Sequence, residues 1–264
     1  MCIRDSSPEE LRATLQIRAD LQAPHRVLGG GSNLVVADEG LDELVVNTES
    51  MRAVTVGEDG RVTAEGGANL IRTVLQTTRA GWRGLESAVG IPGSIGGAAV
   101  MNAGAYGFSV SDVLREITVY DEEGQATEPP EGWRFRYRGS SIPEGAAVAS
   151  LTVQLEKGDA EELGRETRAI ADRRRTSQPG GRNAGCVFKN PPEGPAGRTI
   201  ETLGLKGLRR GQAVVSPRHA NFVVNEGGAT AADVLGLVDE VRERVRAATG
   251  VELELEVKVW EPRS

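Results

Sequence analysis

The feature that most constrains this chain is a glycine-rich stretch from Ile91 to Gly107. Nearly all of its residues are small, yet Ile95, Val100 and Met101 are spread through it, so part of the stretch must pack against other structure. Glycine adopts conformations with positive φ, which can aim successive N–H groups at an anion. The composition therefore predicts a close approach of the backbone to a pyrophosphate-bearing cofactor. The alternative is a tight turn followed by a small-residue helix packed closely on a sheet.

A second, shorter glycine run has a similar character. The apolar pair Val27-Leu28 precedes Gly29-Gly30-Gly31-Ser32-Asn33, and Leu34-Val35-Val36 follows. A strand, a glycine turn and a second strand can present backbone N–H groups to a phosphate; a flexible hairpin turn is the alternative. Neither run has the G-x-G-x-x-G spacing of a βαβ unit or the Lys-Ser/Thr of a P-loop. A dinucleotide would therefore be held by a different architecture.

Bulk properties narrow the classes of function. A length of 264 residues suits one large or two ordinary domains. The formal net charge of −7 gives no general attraction to nucleic acid or to a membrane surface. Two distant cysteines, Cys2 and Cys186, do not form a disulfide framework and favour a reducing compartment. With no membrane-length apolar run and no signal-peptide pattern, we predict a cytoplasmic protein. We also expect a monomer without a metal site.

Helix and strand patterns alternate along the chain without a regular βαβ rhythm, which predicts an α+β fold. A helix is predicted to start at Ser7-Pro8, with Leu11, Leu15 and Ile17 on its buried face. Met1 to Ser6 show no clear pattern.

Further along the chain, Val113 to Tyr120 alternates as a strand does and ends in a turn at residues 121–124. Thr230 to Thr249 is the clearest amphipathic helix. Alternating apolar and charged residues predict one half-buried strand from Val251 to Trp260.

Three polar segments are candidates for chemistry. Trp133 to Ser141 is aromatic and basic, and the alternative is a solvated edge with alternating core aromatics. Arg173-Arg174-Arg175 either complements a helix C-terminus or contacts an anion. Asn183 to Pro192 places a thiol, an ammonium and an amide on one short segment.

Together these stretches resemble the UDP-N-acetylenolpyruvoylglucosamine reductase (MurB) family, and its short-form members most. The motifs occur in the family's order over about residues 8 to 260. They are Leu28–Leu34, Ile91–Gly107, Tyr137–Ser140, Gly185–Pro191, His219–Phe222 and Leu253–Val257. The resemblance implies an FAD-binding domain of the vanillyl-alcohol-oxidase (PCMH) type over residues 1–157. It also implies a smaller α+β substrate-binding domain over residues 158–264.

The resemblance also implies a two-step reaction. NADPH reduces FAD, hydride then passes to the enolpyruvyl methylene of a UDP-sugar, and the adjacent carbon is protonated to leave UDP-N-acetylmuramate, a peptidoglycan precursor. Negative charge develops at the carboxylate-bearing carbon, where preorganised positive charge and donors stabilise it. The two glycine runs are expected to hold the flavin facing a thiol, a guanidinium and a carboxyl group.

Site residues follow from the matched motifs. The catalytic residues implied are Arg138, Cys186 and Glu256. The substrate-side residues implied are Tyr137, Lys189 and Asn190. The cofactor-binding residues implied are Gly29, Gly30, Gly31, Ser32, Asn33, Gly93, Ser94, Gly96, Gly97, Asn102, Gly104 and Ala105.

Arg138 suits a substrate carboxylate because its guanidinium can bond it bidentately. Glu256 would have to be protonated, or act through a neighbour, to help an anion. Cys186 stands where many members of the family have Ser, and a thiol, with an ordinary pKa of about 8.5, can donate the proton. A small buried packing residue is the alternative for Cys186.

A second departure concerns the N-terminus. Members of the family usually have a strand and a Thr-Thr-Phe-x-x-Gly-Gly-like segment before the first helix, and nothing here matches it. We therefore expect an N-terminally incomplete FAD domain, weak FAD retention and an exposed sheet edge. Two other interpretations stay open: a different flavoprotein oxidase of the superfamily, and a truncated or inactive flavin- or UDP-sugar-binding protein.

Overall fold

The computed structural model describes residues 1–121, 124–128 and 132–262, and the chain forms two compact units. The first unit comprises Met1–Gly31 and Glu43–Asp172; the second comprises Ser32–Asp42 and Arg173–Ser264. The second unit therefore includes a short segment from the N-terminal part of the sequence. The predicted domains, 1–157 and 158–264, stay a prediction, because a compact unit is not by itself a cofactor-binding or substrate-binding domain.

The elements carry the following bounds. The helices are α1 (Pro8–Asp20), α2 (Leu70–Arg79), α3 (Ile95–Val100), α4 (Ala160–Ser177), α5 (Ala196–Thr202) and α6 (Ala231–Thr249). The strands are β1 (Cys2–Arg4), β2 (His25–Leu28), β3 (Leu34–Val36), β4 (Leu44–Asn47), β5 (Val54–Val56), β6 (Arg61–Glu65), β7 (Trp82–Arg83), β8 (Gly104–Ala105), β9 (Phe108–Ser109), β10 (Leu114–Asp121), β11 (Gly124–Glu128), β12 (Ala147–Gln154), β13 (Glu156–Lys157), β14 (Arg182–Cys186), β15 (Arg209–Arg210), β16 (Ala213–Val215), β17 (Phe222–Asn225) and β18 (Lys258–Trp260).

The first unit is organised around an antiparallel sheet in the order β11-β10-β12-β6-β5. Strand β12 is buried on both faces, as its small and branched apolar residues require. Ala147 and Ala149 pack with Leu11 and Leu15 of α1, whereas Val148 belongs to the larger cluster that contains the apolar faces of α2 and α3. The sheet thus holds α3, the helix of the glycine-rich stretch, against its central strand.

A second sheet of the first unit is parallel, in the order β1-β4-β2. Cys2 pairs with Val45, so β1 lies at an edge of this sheet with both Cys2 and Arg4 exposed. The assessment that Met1 to Ser6 lack a pattern is corrected here, because Cys2–Arg4 form a strand. Three residues are too few to show an alternation in the sequence.

Helix α1 starts as predicted. The Ser7 hydroxyl accepts a hydrogen bond from the Glu10 N–H at 3.2 Å, and Pro8 occupies the first helical position. Ile17 is 58% exposed, so its predicted place on the buried face is wrong. The buried stripe continues from Leu11 and Leu15 to Arg18, which follows the helical repeat.

The second unit packs α6 on an antiparallel sheet in the order β14-β17-β16-β15. Thr230 and Asp233 form the capping box at the start of α6, and Gly250, with φ 76°, ends it. Asp38 accepts from the N–H groups of Ala231 at 2.7 Å and Ala232 at 3.0 Å. This carboxylate therefore ties the early segment Ser32–Asp42 to the helix.

Two predictions on strands need correction. Strand β3 does not form a hairpin with β2; it pairs in parallel with β18, with Leu34 opposite Lys258. The predicted single strand from Val251 to Trp260 is regular only over Lys258–Trp260. The preceding residues stay extended but bond to residues 187–189, and the N–H groups of residues 256 and 257 both point at one carbonyl, which interrupts the ladder.

The aromatic segment, the arginine run and the turn at residues 121–124 were also predicted from the sequence. Trp133 and Phe135 pack against the core of the first unit while Arg134 and Arg136 are exposed, which confirms the alternation. Arg174 and Arg175 lie in the last turn of α4, where cations complement the helix dipole. The turn predicted at residues 121–124 includes residues 122 and 123, which lie outside the described ranges.

Candidate active site

The two glycine runs meet in the first unit. A Cβ added at Gly30 would lie 2.8 Å from the Gly93 Cα and 3.2 Å from the Ser94 N, and one added at Gly29 would clash with the Ser94 hydroxyl. Both backbones therefore approach more closely than any larger residue permits. The sequence predicts that both glycine runs contribute to one ligand site. In the structure the two runs form a single surface.

Helix α3 turns one glycine inward and the next outward. Ser94 caps the helix by accepting from the Gly97 N–H at 3.2 Å. Gly96 is buried, and a Cβ there would lie 2.9 Å from the Gly66 carbonyl oxygen. Gly97 is exposed, and its Cβ would meet only the Ser94 hydroxyl, at 3.3 Å. Packing thus explains Gly96, whereas Gly97 leaves room on the outer face.

These glycine positions fit a large cofactor with a phosphate group. The exposed face contains Gly30 and Gly97, where the backbone is not covered by side chains. Gly31, with φ 63°, and Gly93, with φ 111°, adopt the left-handed region that favours glycine. A bare, turned backbone of this kind lets a ligand approach N–H groups directly.

Asn102 links the end of the glycine-rich stretch to the aromatic segment. It is buried with φ 41°, its amide donates to the Arg136 carbonyl at 3.2 Å, and its side-chain oxygen accepts from the Ser111 N–H at 3.1 Å. The predicted contact of Asn102 with the cofactor stays a prediction; the structure shows a role in holding two loops.

The last predicted cofactor residues form a small hairpin. Gly104 and Ala105 are the residues of β8, which pairs with β9. A Cβ at Gly104 would clash with the Phe108 carbonyl, so the pairing itself requires glycine. Tyr106 and Gly107 form the turn with φ 54° and 82°, the sign that a two-residue hairpin turn requires.

Tyr137 and Arg138 stand at the tip of a tight turn. Arg136 and Gly139 close it with two main-chain hydrogen bonds, of 2.9 and 3.2 Å. Tyr137 is 52% exposed, and the Arg138 guanidinium lies 4.9 Å from the centre of its ring. Arg138 has φ 55°, a conformation that costs free energy for a non-glycine residue and is enriched at functional sites.

The same turn is fastened to the glycine-rich stretch. The Ser140 hydroxyl donates to the Val100 carbonyl at 2.9 Å, next to the bond from Asn102 to Arg136. Val100 is the last residue of α3. The backbone of this turn is therefore fastened to the end of α3 within the first unit.

Cys186 ends β14 in the second unit beside a strand irregularity. Register with β17 shifts between Asn183 and Cys186, Gly185 has φ 80°, and the Asn183 side chain accepts from the Gly185 N–H at 3.0 Å. Such an irregularity re-aims the side chain that follows it. Cys186 is half-buried.

The segment after Cys186 is held by a residue to which the sequence analysis assigned no role. Asn221 is buried, its side-chain oxygen accepts from the Phe188 N–H at 2.9 Å, and its amide donates to the Phe188 carbonyl at 2.8 Å. The only sequence feature that pointed to it was the motif His219–Phe222. A buried Asn with both ends bonded to one residue fixes that residue's backbone.

Glu256 lies on the extended segment beside Cys186. Its N–H donates to the Val187 carbonyl at 2.8 Å, and its carbonyl accepts from the Asn33 amide at 3.1 Å. Ser32 and Asn33, both half-buried, belong to the second unit with Glu256. The structure thus brings the predicted thiol and the predicted carboxyl onto adjacent segments.

Lys189 and Asn190 follow on the same segment. The Lys189 ammonium pairs with the Glu254 carboxylate, and the Lys189 N–H donates to the Glu254 carbonyl at 2.9 Å. Asn190 accepts from the Ala196 N–H at 3.1 Å, at the start of α5. Glu254 is largely exposed, so its ion pair with Lys189 is open to competition from another anion.

His219 is a neutral, partly buried ring in this unit. Burial lowers its pKa, and its Nδ1 accepts from the Asn221 N–H at 3.2 Å. Its ring packs edge-on against Phe222 at 4.8 Å between centroids, and Gly197 leaves room for it. His219 thus supports the Asn221 loop as an uncharged packing group.

Two negative findings concern the described ranges only. Within them, no three or more His, Cys, Asp or Glu side chains are grouped as metal ligands would be. The helices of the same ranges all fall short of the combined length and hydropathy that a membrane-spanning segment needs.

Comparisons with known proteins match both halves of the chain. The FAD binding domain family matches residues 2–128. The family described as UDP-N-acetylenolpyruvoylglucosamine reductase, C-terminal domain, matches residues 177–260. The predicted α+β fold, an FAD-binding domain followed by a second α+β domain, is confirmed.

Individual relatives agree. A UDP-N-acetylenolpyruvoylglucosamine reductase of Heliobacterium modesticaldum is 46% identical over 240 residues, 89% of this chain and 76% of that protein. The protein of the same name from Moorella thermoacetica is 42% identical, over 97% of this chain and 85% of its own length. The crystal structure of the MurB reductase from Thermus caldophilus matches with a TM-score of 0.86 and 40% identity, over 98% of this chain and 92% of that one. The chain belongs to the UDP-N-acetylenolpyruvoylglucosamine reductase (MurB) family.

Proposed function

We propose that this chain reduces the enolpyruvyl group of UDP-N-acetylglucosamine enolpyruvate to the lactyl ether of UDP-N-acetylmuramate, a step of peptidoglycan precursor synthesis. The observation that carries this proposal is the name shared by relatives that match nearly the whole chain at 42–46% identity. It is an oxidoreductase with FAD as its cofactor and NADPH as its hydride source. No comparison favours a different flavoprotein oxidase or an inactive binding protein.

FAD supplies, when bound, the route by which hydride passes from NADPH to the substrate. The residues proposed to hold it lie on the surface where the two glycine runs meet. Gly30, Gly31, Gly93 and Gly97 give bare backbone there. Ser94 orders the first turn of α3 through its cap. The other cofactor residues named from the sequence shape the surrounding loops.

Arg138 is proposed to bind the substrate carboxylate. Its guanidinium matches a carboxylate in a bidentate arrangement and opposes the negative charge that develops at the adjacent carbon. The tight turn and the Ser140 hydrogen bond hold the backbone of Arg138 in place before substrate arrives. Preorganisation of this kind avoids rearrangement during the reaction.

Cys186 is proposed to donate the proton to the carbon that bears the carboxylate. The strand irregularity before Cys186 sets the direction of the Cys186 side chain. The hydrogen bonds between Asn221 and the main chain of Phe188 hold the segment that follows. Glu256, on the neighbouring segment, is proposed to act in protonated form or through a neighbour at the same carboxylate. Removal of a general acid typically slows a step by about 10²–10⁴-fold.

Lys189, Asn190 and Tyr137 are proposed to contact the diphosphate and sugar of the substrate. Lys189 presents an ammonium whose partner, Glu254, is exposed enough to be replaced by a phosphate. Tyr137 offers an exposed ring and hydroxyl next to Arg138. We further propose a cytoplasmic monomer without nucleic-acid or membrane partners, in line with the net charge of −7.

The test is an assay with added FAD, so that the result does not depend on how much cofactor stays bound during purification. We expect the protein to oxidise NADPH only when the enolpyruvyl substrate is present, and to yield UDP-N-acetylmuramate. NADPH oxidation that depends on oxygen alone would indicate another flavoprotein oxidase. Flavin binding without turnover would indicate an inactive relative. A flavin spectrum of the purified protein measures how much FAD it retains.

A further inference from the structure

The peptide groups on both sides of Glu256 are held by hydrogen bonds. Its N–H donates to the Val187 carbonyl at 2.8 Å, and its C=O accepts from the Asn33 side-chain amide at 3.1 Å. Fixing both groups restrains φ and ψ of this residue, and these angles set the direction of its Cα–Cβ bond. The carboxyl group of Glu256 therefore starts from a backbone that two partners define.

Asn33 is itself fixed by the neighbouring strand pair. Its carbonyl accepts from the Lys258 N–H at 3.0 Å, and Leu34 pairs with Lys258 where β3 and β18 begin. The two hydrogen bonds of Asn33 go to Glu256 and Lys258, the neighbours of Val257, whose side chain is buried. A slip of this register would move the amide away from the Glu256 carbonyl.

We infer that Asn33 is a positioning residue for Glu256, in addition to any contact that the glycine run makes with the cofactor. The inference rests on the proposed function, in which Glu256 acts at the substrate carboxylate. Its consequence is selective: loss of the amide slows the step that uses Glu256 more than it slows the reduction of the flavin by NADPH.

The experiment compares Asn33→Leu and Asn33→Asp with Asn225→Asp. Both Asn33 variants remove the amide donor, and the Leu variant does so without adding charge. Asn225 is the matched control, because its amide also donates to a main-chain carbonyl in the same unit, that of Ala229 at 3.2 Å. Rates are measured per bound flavin, with NADPH bleaching the flavin absorbance in one step and the enolpyruvyl substrate restoring it in the other.

We expect both Asn33 variants to slow the substrate-dependent step at least about ten-fold, since small displacements of a catalytic group have effects of this size. The substrate-dependent step should fall at least about five-fold further than the NADPH-dependent step, whereas Asn225→Asp should leave both steps within about two-fold. In a Glu256→Gln background, Asn33→Leu should add little, because the group that it positions is already absent. The inference would be overturned if the Asn33 variants slowed both steps equally or changed only the flavin content. It would also be overturned if the effects of Asn33→Leu and Glu256→Gln were fully multiplicative.

A readout without turnover separates this inference from the proposed function. The pH titration of the Glu256 carboxyl, followed by carbon-13 NMR, should move in Asn33→Leu and stay in place in Asn225→Asp. If the titration of the Glu256 carboxyl were unchanged in Asn33→Leu, the positioning role would be contradicted even in an active enzyme. A wild-type protein that never uses the enolpyruvyl substrate would refute the proposed function, while the titration would still decide whether Asn33 sets the surroundings of Glu256.

Discussion

The main-chain N–H of Glu256 donates to the carbonyl oxygen of Val187 at 2.8 Å, which places the extended segment of Glu256 beside the one that begins at Cys186. Two residues implied by separate motifs, about seventy positions apart in the sequence, thus lie on adjacent segments of one unit. The pairing of Phe188 with Leu255 extends the same contact. Backbone pairing, and not a flexible loop, sets this part of the site.

The first prediction concerns Cys186. Cys186→Ala should slow reduction of the enolpyruvyl substrate by about 10²–10⁴-fold, because the proposed proton donor is lost. Bleaching of the flavin by NADPH should persist, since that step needs no proton from this residue. Cys186→Ser, which restores an O–H donor of similar size, should recover most of the lost rate. Stopped-flow absorbance measures both steps, and an unimpaired Ala variant would remove Cys186 from the mechanism.

The second prediction compares neighbouring glycines of α3. Gly97→Ala should leave the flavin-free protein as stable as before, or up to about 1 kcal/mol more stable, because Ala favours a helix. Its affinity for FAD should fall, because the added methyl group occupies the exposed face. Gly96→Ala should cost about 1–3 kcal/mol with or without flavin, since its Cβ would press on Gly66. Thermal unfolding and flavin titration separate the two; normal FAD affinity in Gly97→Ala would place the cofactor elsewhere.

The third prediction concerns a buried ion pair of the first unit. Arg26 donates to both carboxylate oxygens of Glu43 at 2.9–3.1 Å, and the Glu43 side chain is only 2% exposed. Glu43→Gln should lower the free energy of unfolding by about 3 kcal/mol, because it removes a buried negative charge that faces a largely buried guanidinium. The matched control is Glu116→Gln, which breaks the exposed pair with Arg61 and should cost less than about 1 kcal/mol. Equal losses in urea unfolding would show that burial does not decide the outcome.

The fourth prediction concerns pH. Burial raises the pKa of Asp5, while the Thr14 hydroxyl donates to its carboxylate at 2.8 Å. A folded pKa above the unfolded value means that the stabilising contribution is complete below pH 3.8 and is lost as the pH rises through the folded pKa. Asp5→Asn mimics the neutral carboxyl, so it should unfold a few degrees higher at pH 7, with a gain that shrinks towards pH 4. A gain that is the same at both pH values would argue against ionisation as its cause.

Sequence signals that involve only near neighbours predicted the starts of helices correctly. The Ser7-Pro8 start of α1 and the capping box of Thr230 and Asp233 depend on neighbours within one turn, so the sequence alone suffices. The apolar alternation near the C-terminus likewise predicted which residues are buried, with Leu253 inside and Glu252 outside.

Non-local partners were not predictable in this way. The alternation after Val251 does not reveal that the segment bonds first to residues near Val187 and then to β3, so a single strand was expected. The glycine runs indicated a ligand surface, but their mutual contact through Gly30 and Gly93 depends on the folded sheet. Asn221 gave no periodic signal, because its role is to pair with one distant backbone.

The early segment Ser32–Asp42 imposes an order on biosynthesis. Asn33 and its partner Glu256 are separated by 223 positions, so β3 leaves the ribosome long before β18 exists. The second unit cannot finish folding until β18 has been translated, and a fragment expressed from Arg173 onward would lack β3 and the amide of Asn33. Expressing the second unit on its own therefore calls for a fusion that joins residues 32–42 directly to the C-terminal sequence, with residues 43–172 removed from between them.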